Sequence, residues 1–416
     1  MPVLLNGAVL LGAFGRVAPV RDAVTHKVPV GMELAVPPLY MILSPLSRLL
    51  DALGLLSTGQ HIAVVLTVLG IAGALGAMRA DRNRRVKGAS IWTGATLGTL
   101  AILYAMTAAL PRPMAKLVVA NSNLVRVDLH SHTNASHDAR SSFDAGDNRD
   151  WHRAGGVDVA YVTDHSTFKG AEAGERSNAA RAGDGTVLLT GFEGRYRGTF
   201  MLFLSMTQGD SASLIDSRRH LRRGTLLAGR TPTAIMAIPG PLIDLPFAAT
   251  EIPPGIAAVE LVNGAPRGLA QHDRDRREIA RLADSLRISV VAGSNNHGWG
   301  RTIPAWTVIW IPGWRTFSSD SLAASIERGL YRSSGVPLQV VERTRPHFTG
   351  VALALTAPAM AGQIVGTLRV WERFVWLAWI WGIAYAWHRV RPHSRRIVRR
   401  FRRRRGRATY TDDENN

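Results

Sequence analysis

Short apolar runs recur through the middle of the chain, at Leu124–Leu129, Val157–Thr163, Val187–Thr190, Phe200–Leu204, Ala234–Ile238, Ala257–Val262, Ile288–Ala292 and Trp306–Ile311. Several are too uniformly apolar for a half-exposed antiparallel sheet, so buried parallel strands are expected. Helical stretches fall between some of them, over 168–182, 268–286 and 319–329. Strands alternating with helices predict an α/β fold, here an irregular barrel, over residues 118–345.

The flanks carry a different pattern. His61–Met78 and Ser90–Leu110 are apolar and each about long enough to cross a bilayer. The loop between them, Arg79 to Lys87, is strongly basic. The positive-inside rule makes that loop cytoplasmic and puts the far ends of the hairpin, with the domain that follows, outside. A further span is expected over 36–56, although Pro37, Pro38, Arg48 and Asp51 interrupt it. Met1–Gly15 is apolar but lacks the basic start of a signal peptide.

On the C-terminal side, Val370–Trp387 is read as the last span. Gly350–Leu368, with Pro358 at its middle, is read as a re-entrant, interfacial or packing helix. One crossing there leaves the arginine-rich tail inside. The expected organisation is therefore a membrane region over 1–117, a domain over 118–345, a second membrane region over 346–388 and a cytoplasmic tail over 389–416.

Charge and composition refine this picture. The net charge of +19 is concentrated in the tail, where eleven arginines lie between Arg389 and Arg407. Phe401 is the one aromatic among the arginines between Arg389 and Arg407, so attraction to anionic lipid headgroups is expected and nucleic-acid binding is not. The spans show no charge pairs within the membrane, which speaks against a transporter. With no cysteine in the chain, metal ligands must be imidazoles and carboxylates, a set suited to Zn, Mn or Fe.

Such ligands cluster where apolar runs end. Asp128-Leu129-His130-Ser131-His132 is followed by Ser136 and Asp138; then come Thr163-Asp164-His165, Gly191-Phe192-Glu193 and Ser294-Asn295-Asn296-His297. Strand ends converging on one point are how barrels assemble a catalytic centre. His130 and His132 alternate about one strand end, so both side chains face the same way and can grip one ion.

The four clusters, in this order and over about 225 residues, resemble the PHP (polymerase and histidinol phosphatase) superfamily of metal-dependent phosphoesterases. The resemblance implies an irregular (β/α)7-type barrel and a metal set of His130, His132, Asp138, His165, Glu193, Asn295 and His297, with Glu193 bridging ions. It also implies departures. Ile238 in Ala237-Ile238-Pro239-Gly240 replaces a family histidine, and Asn295 replaces an aspartate. Gly198–Ser205 lacks the histidine found in members with three metals, so two ions, or one, are expected.

Arg301 and Asp164 are the catalytic candidates. Arg301 would bind phosphoryl oxygens, with a salt bridge at the barrel rim as its alternative role. Asp164, like Asp128, precedes a ligand and is expected to orient histidines rather than bind metal. His137 is a substitute or helper for Asp138, and Asn263 is a candidate for the rim of the site. His152 is placed on a helix surface, and His220, His272 and His347 have no motif around them.

The expected function is hydrolysis of a phosphate ester, possible substrates being an envelope lipid or a sugar phosphate, by metal-activated water outside the cytoplasm. The alternative is a degenerate domain that serves as a metal-binding sensor or scaffold, suggested by Ile238 and Asn295.

Overall fold

The computed structural model describes residues 2–12, 15–165, 167–196, 199–207, 233–237 and 255–408. An N-terminal helix α1 (Pro2–Leu11) precedes two short strands, β1 (Val20–Asp22) and β2 (Met32–Ala35). In place of the single span expected over 36–56 there are two helices, α2 (Pro38–Ile42) and α3 (Ser44–Gly54). The reason is charge. Asp51 is buried between Arg112 at 2.6 Å and Arg343 at 2.7 Å, while Arg48 pairs with Glu372 at 2.7 Å. Hydrocarbon could not supply those partners, so this segment packs on protein.

Two helices are long and apolar enough to cross a membrane, α4 (Thr58–Arg79) and the stretch ending in α5 (Arg85–Ala109). The first begins at a capping box in which the Ser57 N–H donates to Gln60 Oε1 at 3.0 Å. The second stops before Pro111, since a proline disfavours helical backbone in the residue ahead of it. The two pack so closely at Gly76 and Gly88 that a Cβ on either would strike the other's carbonyl. Their outer faces expose Ile62, Leu66, Ile71, Ile91, Leu97 and Ile102.

The domain itself is a ten-stranded mixed sheet. After β3 (Lys116–Val119), which pairs with β2, come β4 (Leu124–Ser131), β5 (Val159–Val162), β6 (Val187–Tyr196), β7 (Thr199–Leu204), β8 (Ala234–Ala237), β9 (Ile256–Asn263), β10 (Ser289–Gly293), β11 (Ala305–Trp310) and β12 (Leu338–Arg343). Their spatial order is β1-β12-β11-β4-β5-β6-β7-β8-β9-β10. All eight expected runs are strands, yet only β4–β5–β6 and β8–β9–β10 are parallel neighbours. β6 and β7 are separated by two residues, a connection too short for a parallel crossover, so they pair antiparallel. β11 also runs antiparallel to β4.

The sheet curls until its last strand returns to β4. There the Asn295 N–H donates to the His130 carbonyl at 2.7 Å, and the His132 N–H to the Asn296 carbonyl at 2.9 Å. The result is a half-barrel joined at the C-terminal ends of its strands. Helices α6 (Ala145–Ala154), α7 (Lys169–Arg176), α8 (Pro266–Ser285) and α9 (Ser319–Leu330) complete the domain. Both β5 and β9 are buried along their whole length. The expected boundary at residue 118 moves, because β1 and β2, from the N-terminal region, pair with β12 and β3.

Beyond the sheet, a 3-10 turn at Gly350–Leu355 leads into α10 (Thr356–Gly366) and then α11 (Val370–Ala408). The last two segments meet at a bend of 115° and pass together as one broken span, giving two or three candidate spans among the described residues. Such helices are compatible with membrane association.

Candidate metal centre

The site grows from the end of β4. Pairing with β5 shifts register between Asp128 and Ser131, the kind of irregularity that re-aims side chains beside active sites. Asp128 clamps this end in place: its Oδ1 accepts the His130 N–H at 3.1 Å and the Ser294 N–H at 2.9 Å. Its Oδ2 lies 2.8 Å from His152 Nε2. His152 is therefore not a surface residue but a fully buried post behind the site. Burial opposes ionisation of Asp128, yet the bonds from His152 and Ser294 hold its carboxyl below the usual range.

Three ligand atoms then meet in a triangle. His130 Nε2 lies 3.1 Å from His132 Nε2 and 3.2 Å from Glu193 Oε2, and His132 Nε2 lies 3.3 Å from the same oxygen. Ligand atoms of a tetrahedral site with bonds of about 2.0–2.1 Å stand roughly 3.3 Å apart, so the spacing fits one ion. The chain's own hydrogen bonds point both lone pairs inward. His130 Nδ1 is 2.9 Å from Glu260 Oε1, an oxygen that can only accept, so Nδ1 carries the proton. Ser136 uses its hydroxyl proton on Asp164 at 3.1 Å, which leaves its oxygen to accept from His132 Nδ1 at 3.2 Å.

The electrostatics agree with a cation site. Burial opposes charging His130, but Glu260 and Glu193 overcome it and raise its pKa well above the ordinary value. His132 moves the other way, lowered by burial and by the neighbouring His297, His130 and His165. Glu193 is held below the usual carboxylate range by His130 and its neighbours, against the effect of its burial. Glu193 is thus anionic and His132 neutral, the states in which such groups bind metal, while at His130 a bound cation would displace the proton that the two carboxylates favour.

A second, more open set adjoins the first. His165 Nδ1 is 3.3 Å from Glu193 Oε2, while Asp138 Oδ2 lies 3.5 Å from His165 Nε2 and 3.3 Å from His297 Nε2. The His132 ring stacks on those of His165 and His297, with centroids at 4.7 and 4.1 Å. His132, His165 and His297 also form a possible ligand group of their own. His297 Nδ1 donates to the Asn295 carbonyl at 3.0 Å, which frees Nε2. That atom has no hydrogen-bond partner among the described residues despite its nearness to Asp138, and neither has Asn295 Oδ1. Two buried acceptors without donors fit a cation better than an empty pocket.

Of the expected residues, the structure thus brings together His130, His132, Asp138, His165, Glu193 and His297, with Asn295 beside them. Asn295 takes a left-handed backbone (φ 46°) and its Nδ2 donates to Asn263 Oδ1 at 3.1 Å. Asp164 accepts from the Thr133 N–H and Oγ1, each at 2.7 Å, and from Ser136, so it positions the loop that carries Ser136. Burial raises its pKa. Arg301 stands apart: its Nε donates to the Arg112 carbonyl at 3.2 Å, and it does not line the cavity beside the cluster. Ile238 and His220 lie outside the described residues.

Glu260 was not foreseen. It is fully buried on β9, and its second oxygen accepts from Asn263 Nδ2 at 2.9 Å. The close approach of β9, β10 and β4 here needs Gly293, whose missing Cβ would collide with Glu260 and His130. A lone acid in the apolar stretch Ala257-Ala258-Val259-Glu260-Leu261-Val262 was the signal that could have found it.

Beside the cluster opens a cavity of about 430 Å³, lined by Asp138, Asn295 and His297 at one end and by Leu53, His61, Tyr104 and Ala108 at the other.

No family model matches the chain, and no curated protein does. Among solved structures the chain is similar to PsfC from Pseudomonas syringae, at 16% identity and a TM-score of 0.34, over 57% of this chain and 96% of that one. It is also similar to a two-domain protein from Bacteroides vulgatus containing a predicted PHP-like metal-dependent phosphoesterase. There the identity is 15% and the TM-score 0.33, over 50% of this chain, which spans 63% of that protein.

Proposed function

We propose that the chain is a membrane-anchored, metal-dependent phosphoesterase. The observation that carries this reading is the triangle of His130, His132 and Glu193, its outward hydrogen bonds already committed, sharing Glu193 with His165, Asp138 and His297. Two sets joined by one carboxylate suit a pair of divalent ions, and the all-nitrogen-and-oxygen donor set suits Zn, Mn or Fe. Such ions supply a water that loses its proton near neutral pH and offset the charge of phosphoryl oxygens.

The chain's own residues do the rest. Glu260 and Ser136 hold the two histidine rings in one tautomer each. Asp128 fixes the backbone from which His130 and Ser294 project. Asp138, the most exposed carboxylate of the set, lines the cavity and closes the second set on the side open to a bound ester.

The hairpin supports a sidedness. The domain meets the Thr58 end of α4 and the Ala109 end of α5, whereas the basic loop Arg79–Lys87 lies at their other ends. The positive-inside rule favours a cytoplasmic position for that loop, which supports an outside position for the domain.

The test uses the full chain in detergent, because β1 completes the sheet. Metal per chain is measured by elemental analysis, and a panel of phosphate mono- and diesters is screened with Mn, Zn and Fe. His130→Ala is expected to abolish turnover without changing the circular dichroism spectrum. Unchanged turnover in that variant would refute the mechanism. Less than one ion per chain after metal incubation would favour a scaffold.

A further inference from the structure

The cavity beside the metal cluster has an unusual second wall. Leu53 and Gly54 come from α3, His61 from the first turn of α4, and Tyr104, Thr107 and Ala108 from the last turns of α5. About 20 residues cover a hydrocarbon core of roughly 30 Å, so a span counted from Lys87 reaches its outer boundary near Thr107. The far end of the cavity therefore lies at the level where bilayer gives way to water. Trp299, which lines the same cavity, is an exposed indole, the residue type enriched at that level.

The wall is joined to the catalytic loop rather than merely near it. The Gly300 N–H donates to the Ala108 carbonyl at 2.8 Å, and Trp151 Nε1 donates to the Gly300 carbonyl at 3.1 Å. Thr302 Oγ1 donates to Asp51 at 3.0 Å and accepts from Arg112 at 2.8 Å. The loop that follows His297 is thus tied to both α3 and α5. One end of the cavity presents imidazole and carboxylate; the other presents Leu53, Ala108 and the Tyr104 ring, whose hydroxyl lies 3.1 Å from His61 Nδ1. A small, fully hydrated ester would find no use for that apolar end.

We propose that the substrate is a phosphoester lipid of the surrounding bilayer, its phosphate at the histidine cluster and the first part of its hydrocarbon along Leu53, Tyr104 and Ala108. This rests on the phosphoesterase reading and adds the substrate class to it. The lipid is not fully extracted; the part of its chain nearest the headgroup enters between the span ends and the catalytic loop.

The experiment compares acylated and deacylated partners on the full-length protein loaded with Mn. Phosphatidic acid and phosphatidylglycerol, each in phosphatidylcholine vesicles, are set against glycerol 3-phosphate and glycerophosphoglycerol in water. Within at least one pair kcat/KM for the lipid is expected to exceed that for its deacylated partner by about tenfold or more, since burying two methylenes already shifts binding by roughly that factor. Ala108→Trp, which fills the apolar end, is expected to raise KM for the lipid about tenfold while bound metal per chain stays constant. Equal or better hydrolysis of the deacylated esters would overturn the lipid proposal and leave the phosphoesterase reading standing. Hydrolysis of neither partner by metal-loaded protein would overturn both.

Discussion

Glu260→Gln keeps shape and volume while replacing two acceptor oxygens with one acceptor and one donor. In the native chain, Glu260 Oε1 takes the His130 Nδ1 proton at 2.9 Å and Oε2 takes the Asn263 amide proton at 2.9 Å. Asn263 Oδ1 in turn accepts from Asn295 Nδ2 and from the Ala265 N–H, both at 3.1 Å. If the glutamine keeps its oxygen on His130, its NH2 faces the NH2 of Asn263. If Asn263 turns its amide over to relieve that, it abandons Asn295 and Ala265. Both of these leave a buried donor unpaired, at about 1–3 kcal/mol. If the glutamine instead turns its NH2 to His130, the ring must carry its proton on Nε2, 3.2 Å from Glu193, and that nitrogen can no longer hold a metal. Changing a group that supports a ligating histidine weakens metal binding about 10- to 100-fold, or about 1.4–2.8 kcal/mol, which falls in the same range. Chelator-competition titration of the full-length protein with Zn or Mn measures this directly, with circular dichroism to show that the fold persists. An unchanged metal affinity in a folded variant would refute the idea that Glu260 orients His130 for a cation.

His272 is buried on α8 with no hydrogen-bond partner for either ring nitrogen among the described residues, and burial pushes its pKa down to about 3. The unfolded chain takes up that proton below about pH 6.5 while the folded chain does not, so stability present above pH 6.5 is lost toward pH 3 at about 1.4 kcal/mol per unit. Denaturant titrations at pH 7 and pH 5 are expected to show wild type losing about 2 kcal/mol more than His272→Leu; parallel losses would refute it. Asp51→Asn leaves Arg112 and Arg343 buried without their counter-ion and is expected to cost about 3–5 kcal/mol, read as a lower denaturation midpoint. Gly293→Ala forces β10 away from His130 and Glu260, so metal affinity is expected to fall although no ligand is removed. An export-dependent reporter fused after Arg345 is expected to be active; activity only of a cytoplasmic reporter there would reverse the sidedness.

The strands were legible because each is a short, mostly apolar run between polar segments, even where Arg126, Asp128, Asp158 or Glu260 interrupts it. Their directions were not. β11 reads as apolar as β5, yet it lies antiparallel to β4, because direction depends on where the connecting chain returns and not on the residues within the strand. β1 escaped notice for a related reason: three residues with buried ends and a half-buried centre make no periodic signal until β12 is placed beside them. The segment over 36–56 shows the converse error. Its length and apolar content suit a span, but Arg48 and Asp51 find partners more than 300 and nearly 300 positions away, at Glu372 and Arg343, and those partners decide where it lies.

The candidate ligands could be picked out because His130, His132, Asp138, His165, Glu193 and His297 fall in local clusters at strand ends. What holds them could not, since support comes from other strands. Glu260 reaches His130 across 130 positions, and His152 reaches Asp128 from a helix whose polarity suggests a surface. This separation has a physical basis. A ligand needs only a strand end that points toward the axis, and a short motif can specify that. The proton on its far nitrogen must be accepted by a neighbouring strand, whose identity is set by the curl of the whole sheet. The apolar cavity wall obeys the same logic at a larger scale: Tyr104 and Ala108 look like ordinary residues of an apolar helix until the Gly300 N–H donates to the Ala108 carbonyl and ties the loop that follows His297 to the end of α5.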